Sequence, residues 1–498
     1  LGIMFFHILT LITISLQPTQ SQHEEIPYES IENICKKCLC LTAQEDSKKF
    51  KYHYILSCST RNFRHILSGW PVEFGKNHTG TEIVATFSEN QIQLLQQIPQ
   101  TNATLSFSCR HCGIKEIQSP TFVDVPNIVR LDLSWNYLFE DILTPEVFRG
   151  PYNVHSYEPI ALEELDISHN HFRTLDRKIF EHTPRLQKLN LAYNKFDVID
   201  APTAIALGSL SALKSLDLSY NILTEIPSDL FKPLKYLREL YLQGNMLTKT
   251  PDGLYYLGKS LKFLNLGSNP IKQIDEKDLS ELKLLTHLNI SGMNELENIN
   301  NGALVHQEKL KVLICNKNPK LERFDVSNLQ NANELEVLDI SDNNISTFFV
   351  LVSLPTEPLP EAPTWKKLHL LEIEGNPWHC DCYLLKILEK YVDILYRRHS
   401  YARCSTPYEL AGARIHDLSS EIMCQVAVAR KLRIPIHEPP AFLRPRSIVL
   451  SIITITIVIA IGIIVGFGIV IMKRKLKQTE MVFTSPIRYT IVRNSTGE

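Results

Sequence analysis

The sequence lacks an excess of charge of either sign and lacks the familiar catalytic motifs. Its 52 Lys and Arg residues nearly balance 54 Asp and Glu residues, which leaves a net charge of −2. Proteins that bind nucleic acid rely on a basic surface that contacts the phosphates, so we expect no nucleic-acid partner. No HExxH, GxSxG, Walker or paired-carboxylate motif occurs, which argues against catalysis. The sequence therefore predicts no enzyme, no cofactor and no metal site.

The 498 residues also lack long uncharged runs, except near the two ends. Residues 447–472 contain no charged side chain over 26 positions, which exceeds the ~20 residues needed to span a bilayer. Lys473, Arg474 and Lys475 follow directly, so the positive-inside rule places the C-terminus in the cytosol. The apolar run from Met4 to Leu16 is typical of a signal peptide. We expect a type I single-pass plasma-membrane protein with an extracellular N-terminus.

A repeating element occupies the sequence between these two segments. Apolar residues stand five and three positions before a recurring Asn, as in LDLSWN ending at Asn136 and LDISHN ending at Asn170. About twelve such units recur at spacings near 24 residues, which indicates a solenoid. The alternation of Leu131, Asp132 and Leu133 predicts a short strand with one buried face, so stacked units should build one parallel sheet. The recurring Asn should satisfy backbone groups of adjoining turns.

This pattern resembles the extracellular leucine-rich repeat transmembrane family, in its typical-repeat class with cysteine-rich caps. The resemblance implies an α/β-type solenoid, a horseshoe with a concave parallel β-sheet, disulfide caps and one transmembrane helix. The predicted organisation is a signal peptide (1–21), an N-terminal cap (22–80), leucine-rich repeats (81–378), a C-terminal cap (379–424), a juxtamembrane stalk (425–446), a transmembrane helix (447–472) and a short cytoplasmic tail (473–498).

Two groups of four cysteines flank the repeats. They are Cys35, Cys38, Cys40 and Cys58 before the repeats, and Cys380, Cys382, Cys404 and Cys424 after them. Such groups indicate disulfide-stapled caps in an oxidising compartment. Four cysteines allow three pairings, and the residues alone do not choose among them. The resemblance implies the pairs Cys35–Cys40, Cys38–Cys58, Cys380–Cys404 and Cys382–Cys424.

Three further cysteines, Cys109, Cys112 and Cys315, fall on inward-facing repeat positions. We interpret them as core thiols, because a thiol behaves there as a small apolar group. For Cys109 and Cys112, a redox pair, half a zinc site and a local disulfide stay open as alternatives.

Four Asn-x-Ser/Thr sequons precede the predicted membrane span, at Asn77, Asn102, Asn289 and Asn344. Each is a predicted N-glycosylation site. Asn289 lies between inward Leu288 and Ile290, so its side chain should project from the sheet face. A glycan there would direct protein ligands toward other units.

The residues directly before four successive repeat Asn residues are aromatic or His, and we predict that they bind a protein ligand. They are Trp135, His169, Tyr193 and Tyr220, with Tyr241 outward on the next strand and Asp132, Asp166 and Asp217 on the same surface. Exposed aromatic side chains suit interface hot spots, and the carboxylates favour a partner with apolar and basic residues. The alternative is that these residues only fill consensus positions of the scaffold.

Two units carry larger insertions, between Asn136 and Asn170 and at residues 354–364. These loops should bulge from one edge of the solenoid. They either contact ligands or are tolerated surface insertions.

The predicted cytosolic tail has 26 residues and is too short for a kinase or an adaptor-recruiting domain. Tyr489 and Val492 form a Tyr-x-x-bulky pattern of the kind found in inhibitory and endocytic motifs, although such short patterns also arise by chance. We expect a single-pass cell-surface receptor or adhesion molecule that binds an extracellular protein through its concave face. The alternative is an accessory membrane subunit that associates laterally with another receptor or displays a soluble factor, and homophilic contact also stays open.

Overall fold

The structure is a computed structural model that describes residues 28–43, 52–75, 78–349 and 363–421. Its central feature is a 14-stranded sheet in which the strands follow one another in chain order. The first two strands pair antiparallel, and each later neighbouring pair is parallel. The strands are β1 (Leu39–Ala43), β2 (His53–Ser57), β3 (Glu82–Thr86), β4 (Thr104–Ser108), β5 (Ile128–Asp132), β6 (Glu164–Asp166), β7 (Lys188–Asn190), β8 (Ser215–Asp217), β9 (Glu239–Tyr241), β10 (Phe263–Asn265), β11 (His287–Asn289), β12 (Val312–Ile314), β13 (Val337–Asp339) and β14 (Leu370–Glu372).

Short helices and small strand pairs complete the coils away from this sheet. The α-helices are α1 (Ile34–Lys37), α2 (Ala201–Gly208), α3 (Glu276–Leu279), α4 (Cys382–Leu388) and α5 (Val392–Arg397), and 3-10 turns cover Val72–Phe74, Pro145–Phe148, Asp252–Leu257, Val326–Leu329, Glu389–Tyr391, Tyr408–Leu410 and Ile415–Asp417. The small pairs join Leu94–Leu95 to Glu116–Ile117, Arg149–Tyr152 to Tyr157–Pro159, Gln273–Ile274 to Asn298–Ile299, Arg323–Asp325 to Thr347–Phe349, and Trp378–His379 to Cys404–Thr406.

The core is a continuous column of apolar side chains beneath the sheet. Leu131 pairs in register with Leu165, and Leu165 pairs with Leu189. Each of these three side chains is 2% exposed. A single coil cannot bury its own leucine face, so burial depends on the coils before and after it. The predicted solenoid with one long parallel sheet is confirmed.

The recurring Asn joins each coil to its neighbour. The Asn136 side chain is buried, and its Nδ2 donates to the carbonyl oxygens of Cys109 and Leu133, both at 2.9 Å. Its Oδ1 accepts the backbone N–H of Ile114 at 2.9 Å. One amide side chain therefore satisfies backbone groups of two successive turns that have no strand partner. The predicted hydrogen-bonding role of the repeat Asn is confirmed.

Disulfides close both ends of the solenoid. At the N-terminal end, Cys35 is bonded to Cys40 and Cys38 to Cys58, and at the C-terminal end Cys380 is bonded to Cys404. These are pairs that the family resemblance implies. Cys382 is also disulfide-bonded, and its expected partner Cys424 lies outside the described residues.

The interpretation of Cys109 and Cys112 as core thiols is wrong, because the two residues form a disulfide. Both side chains are fully buried, and their Cα atoms are 5.7 Å apart, within the range that a disulfide spans. Cys112 occupies the position of the repeat Asn, so here a covalent bond ties the end of the strand to the turn. Cys315 is a free, buried thiol, as predicted, and burial raises its pKa to about 12.

Several sequence predictions concern residues that the structure does not describe. They are the signal peptide, Asn77, Cys424, the stalk, the membrane span at 447–472, and the tail residues Tyr489 and Val492. Within the ranges that are described, no helix is both long enough and apolar enough to cross a bilayer.

Candidate functional site

Four side chains that the sequence singled out form one continuous stack, which we call the aromatic ladder: Trp135, His169, Tyr193 and Tyr220. The ring centroids of Trp135 and His169 are 3.8 Å apart, those of His169 and Tyr193 4.1 Å, and those of Tyr193 and Tyr220 4.3 Å. Successive ring planes differ by 15° or less. The coils are therefore stacked closely enough for each ring to lie face to face with the next.

The turn that follows each strand positions the ladder. The φ angles of its four residues lie between 52° and 59°, in the left-handed region. The equivalent position in other coils has the same conformation, whether it holds Gly244, Ser268, Lys317 or Asp342. The repeat geometry thus imposes this backbone, and the choice of side chain decides whether a ladder forms.

The two ends of the ladder differ. At the N-terminal end, the His111 ring meets Trp135 edge-on at 6.3 Å, and the Arg110 guanidinium lies 5.9 Å from the Trp135 ring centroid. At the other end, the Tyr220 ring lies over Gly244, where an added Cβ would collide with the ring. The absence of a side chain at Gly244 therefore leaves space for the last ring.

The ladder exposes ring edges rather than ring faces. Trp135 and Tyr193 are 44% exposed and Tyr220 is 42% exposed, although their neighbours cover at least one face. Burial lowers the pKa of His169, and the positive charge of Arg110 lowers it further against the opposing effect of Asp166. Burial raises the pKa of Tyr193, with a further contribution from Tyr220. A ligand would meet uncharged edges with polar tips.

The three predicted aspartates form a row, which we call the acidic row, beside the ladder. Asp132 pairs in register with Asp166, and Asp217 ends β8 two strands further on. In each, Oδ1 accepts the backbone N–H of the serine two residues later, at 2.8–2.9 Å. Burial raises the pKa of Asp217, and the charge of Asp166 contributes to the same effect. One oxygen of each carboxylate therefore stabilises the turn after its strand. This structural role is the one expected if these residues only fill consensus positions of the repeat.

Tyr241 does not join the ladder. It pairs in register with Asp217 on the sheet, and its ring packs against Phe263 at a centroid distance of 4.7 Å. The side chain is half-buried, and burial together with the charges of Glu239 and Asp217 raises its pKa. The eight predicted residues therefore fall into two groups. Four form the aromatic ladder, and the three aspartates and Tyr241 lie on the sheet.

A depression of about 500 Å³ lies on the sheet face, and the three aspartates of the acidic row line it. It is lined from Val84 on β3 to Tyr241 on β9, with Arg130, Glu164 and Lys188 among its side chains. Glu164 lies 3.5 Å from Arg130 and 3.0 Å from Lys188. In the described part of the chain, no basic side chain pairs in this way with the three aspartates. The cationic side chains of Arg130 and Lys188 in the depression are therefore paired with Glu164. The negative charges of the three aspartates have no such basic partner in the described ranges.

Comparison with known proteins identifies the repeat. Residues 160–211, 203–247 and 237–296 match the family described as leucine rich repeat. The chain therefore contains leucine-rich repeats.

Three relatives match the sequence over different lengths. Tsukushi from Gallus gallus is 30% identical over 243 residues, covering 49% of this chain and 60% of that protein. CD180 antigen from Mus musculus is 25% identical over 426 residues, covering 81% of this chain and 56% of that protein. Transforming growth factor beta activator LRRC32 from Mus musculus is 30% identical over 131 residues, covering 26% of this chain and 18% of that protein. The chain thus spans less than two thirds of each relative.

Sequence reasoning missed a second group of side chains on the leucine-rich repeats, at the position directly after four of the repeat Asn residues. We call this the outer row: Tyr137, His171, Ile222 and Met246, with Lys195 at the same position in the coil between His171 and Ile222. Tyr137, Ile222 and Met246 are each at least 50% exposed, and the Tyr137 ring lies 5.9 Å from His171. The signal was present in the sequence, because each of these residues stands one position beyond a repeat Asn.

The insertion between Asn136 and Asn170 forms an antiparallel pair, Arg149–Tyr152 with Tyr157–Pro159. Tyr152 and Val154 are 63% and 86% exposed. The Tyr157 ring lies 6.4 Å from His182. His182 lies before β7, whereas the ladder residues lie after their strands. This hairpin therefore contacts the opposite side of the coils from the ladder turns. Of the second predicted insertion, at residues 354–364, all but the last two residues lie outside the described ranges.

The predicted glycosylation sites lie in different environments. Asn102 and Asn344 are exposed and lie outside helices and strands, whereas Asn289 ends β11 on the sheet face. No group of three His, Cys, Asp or Glu side chains in the described ranges is arranged to hold a metal ion.

Proposed function

We propose that this leucine-rich repeat protein is a single-pass cell-surface receptor or adhesion molecule that binds an extracellular protein ligand. The aromatic ladder with the adjoining acidic row carries this proposal. Trp135, Tyr193 and Tyr220 combine large exposed ring edges with polar tips, which are the properties of interface hot spots. The stack also fixes their rotamers before binding, so less side-chain entropy is lost when a ligand is bound.

Charge indicates the chemistry of the ligand. The ladder borders carboxylates that no basic side chain in the described ranges neutralises, and the depression beside them is concave. A protein surface with an apolar centre and Lys or Arg at its rim complements this arrangement. The ligand-binding residues in the proposal are the ladder, the acidic row and Tyr241, with the outer row at the edge.

The cysteine-rich caps support an extracellular location. Disulfides close both ends of the solenoid, and such bonds persist mainly in oxidising compartments. The proposal retains the order predicted from the sequence: signal peptide, N-terminal cap, repeats, C-terminal cap, stalk, membrane span and short tail. It assigns the protein to the plasma membrane with its repeats outside the cell and no catalytic role.

A second candidate function has one specific observation in its favour. A relative over 131 residues is named as an activator of transforming growth factor beta, and this fits a membrane subunit that displays a soluble factor. Stable co-purification of one membrane partner or one secreted factor from detergent extracts would favour this role. Aggregation of cells that express the chain would favour adhesion instead.

The test is a screen of cells that express the full chain against a library of displayed ectodomains. The informative variant is Trp135→Asn combined with Tyr193→Asn, because Asn tolerates the left-handed backbone of these turns while removing the rings. The matched control is Tyr236→Asn combined with Tyr255→Asn, two exposed tyrosines outside the ladder and the depression. We expect the ladder variant to reach the surface and lose the ligand that wild type and control bind. Undiminished binding by the ladder variant contradicts the proposed site.

A further inference from the structure

The sheet face changes character along the solenoid. From β3 to β9 it is largely polar and charged, whereas from β10 onward it carries an apolar patch, which we call the C-terminal patch: Phe263, Val312, Ile314, Val337 and Leu370. These side chains project outward and are half-buried on the open sheet. Val312, Val337 and Leu370 are neighbours in one register row, whereas His287 separates Phe263 from Val312. Exposed apolar surface on a sheet face is often covered by another group.

Asn289 lies within this patch. It pairs in register with Ile314 on one side and with Asn265 on the other, and His287 of the same strand pairs with Val312. Neighbouring strands are about 4.8 Å apart, so a group attached to Asn289 stands directly beside Ile314 of β12 and diagonally across from Phe263 of β10.

The hydrogen bonds of Asn289 leave its amide nitrogen available. Its Oδ1 accepts the backbone N–H of Ser291 at 2.9 Å and the Ser291 hydroxyl at 2.6 Å. Within the described ranges, its Nδ2 donates to no acceptor. The sheet residue Asn190 on β7 differs, because its Nδ2 donates a hydrogen bond to Asp166. The turn therefore depends on Oδ1 alone, and substitution of Nδ2 costs no internal hydrogen bond.

We infer that Asn289 carries an N-linked glycan that covers the C-terminal patch and confines protein ligands to the part of the sheet between β3 and β9. The inference rests on the extracellular location in the proposed function. The attachment joins Asn289 Nδ2 to the anomeric carbon of an N-acetylglucosamine supplied by a lipid-linked oligosaccharide donor. The bond from that carbon to the donor's pyrophosphate breaks, and the lipid pyrophosphate leaves with one amide proton.

The glycan explains two features of the molecule together. Its sugars are strongly hydrated, so an apolar surface beneath them neither aggregates nor requires a permanent protein partner. The ladder and the depression lie on the strands before β10 and stay open. A single modification thus divides the sheet into a covered part and a binding part.

The first measurement is the mass of the tryptic peptide 284–309 from the full chain produced in animal cells. This peptide contains one sequon, at Asn289, and no internal Lys or Arg. We expect a glycan mass that enzymatic deglycosylation removes. Asn289→Asp removes the sequon but retains the turn oxygen, as Asp132 and Asp217 do in other coils, and Ser291→Thr preserves the sequon as a positive control.

The second measurement tests covering through thiol access on intact cells. Val312→Cys places a thiol in the C-terminal patch, and Val84→Cys is the matched control on the same sheet face, eight strands from β11 and roughly 38 Å away. Labelling with a bulky, membrane-impermeant maleimide reports access, and background is low because Cys315 is buried. We expect Asn289→Asp to accelerate labelling at position 312 severalfold and to leave labelling at position 84 unchanged.

The outcomes separate this inference from the proposed function. An unmodified Asn289 beside glycosylated Asn102 or Asn344 overturns the inference alone, whereas three unmodified sites contradict the extracellular location. Equal labelling rates at position 312 with and without Asn289 show that the patch is not covered. If Val312→Cys fails to reach the surface, Val337→Cys in the same register row gives the same readout.

Discussion

At the residue scale, the aromatic ladder offsets a strained backbone with stacking. A side chain in the left-handed region costs roughly 1–2 kcal/mol for most residues. A stacked aromatic pair returns about 0.5–1.5 kcal/mol beyond its buried area. Trp135, His169, Tyr193 and Tyr220 form three stacked pairs, so stacking offsets part of the strain at these four positions. Lys317 has the same left-handed backbone, so the position itself does not require an aromatic neighbour.

Gly244 provides a test of this balance at the end of the ladder. We expect Gly244→Ala to lower the free energy of unfolding by about 3 kcal/mol, from left-handed strain and from collision with the Tyr220 ring. Gly113→Ala is the matched control, because Gly113 also has a positive φ but has open space around it, and should cost about 1–2 kcal/mol. Denaturant unfolding of both variants measures the difference. Equal costs would show that the ring exerts no constraint on Gly244.

At the scale of the element, the repeat Asn is the residue on which each turn depends. Asn245 is 2% exposed, and its Nδ2 donates to the carbonyls of Leu218 and Leu242 at 3.0 and 2.9 Å. Its Oδ1 accepts the N–H of Leu223 at 3.1 Å. Leu218 and Leu223 belong to the preceding coil, so this side chain connects two coils as well as closing its own turn.

We predict that Asn245→Ala lowers the free energy of unfolding by about 2–4 kcal/mol, because it leaves buried backbone groups without partners. Asn333→Ala is the control, since Asn333 is exposed and its replacement should change stability by about 0.5 kcal/mol or less. Urea unfolding followed by circular dichroism gives both values. A loss at Asn245 no greater than that at Asn333 would contradict the structural role of the repeat Asn.

At the scale of the whole molecule, the caps protect the two ends of a column that is otherwise continuous. Removal of Cys35–Cys40 leaves the Cys38–Cys58 disulfide in the N-terminal cap, and removal of Cys380–Cys404 leaves the disulfide of Cys382 in the C-terminal cap. The Cys35–Cys40 bond closes a separation of 5 residues, and the Cys380–Cys404 bond a separation of 24. Loop-closure entropy favours the longer link.

The two caps should therefore differ in what a lost disulfide costs. We expect Cys380→Ala combined with Cys404→Ala to destabilise the protein by about 1 kcal/mol more than Cys35→Ala combined with Cys40→Ala. Thermal unfolding ranks the two variants, and limited proteolysis of the first should begin in the last coils. The opposite ranking would mean that cap packing, rather than loop closure, sets the contribution of these bonds.

The repeat period, the strand that precedes each Asn and the inward direction of its leucines could be predicted from the amino-acid sequence. These features follow from the local periodicity of the sequence, which is repeated in every coil. The same periodicity also placed Trp135, His169, Tyr193 and Tyr220 at equivalent positions, and hence side by side. The fold class and the composition of the ladder were both predictable for that reason.

The contacts between these side chains could not be predicted in the same way, because they depend on the packing of one coil against the next. Three features depend on rotamers and on distances between coils that are 24 to 34 residues apart in sequence. They are the stacking of the ladder rings, the close approach of the Tyr220 ring to Gly244, and the position of Tyr241 on the sheet instead of in the ladder. The disulfide between Cys109 and Cys112 likewise depends on the approach of two Cα atoms in one turn. Periodicity specifies which residues become neighbours, whereas packing between coils specifies the atoms that touch.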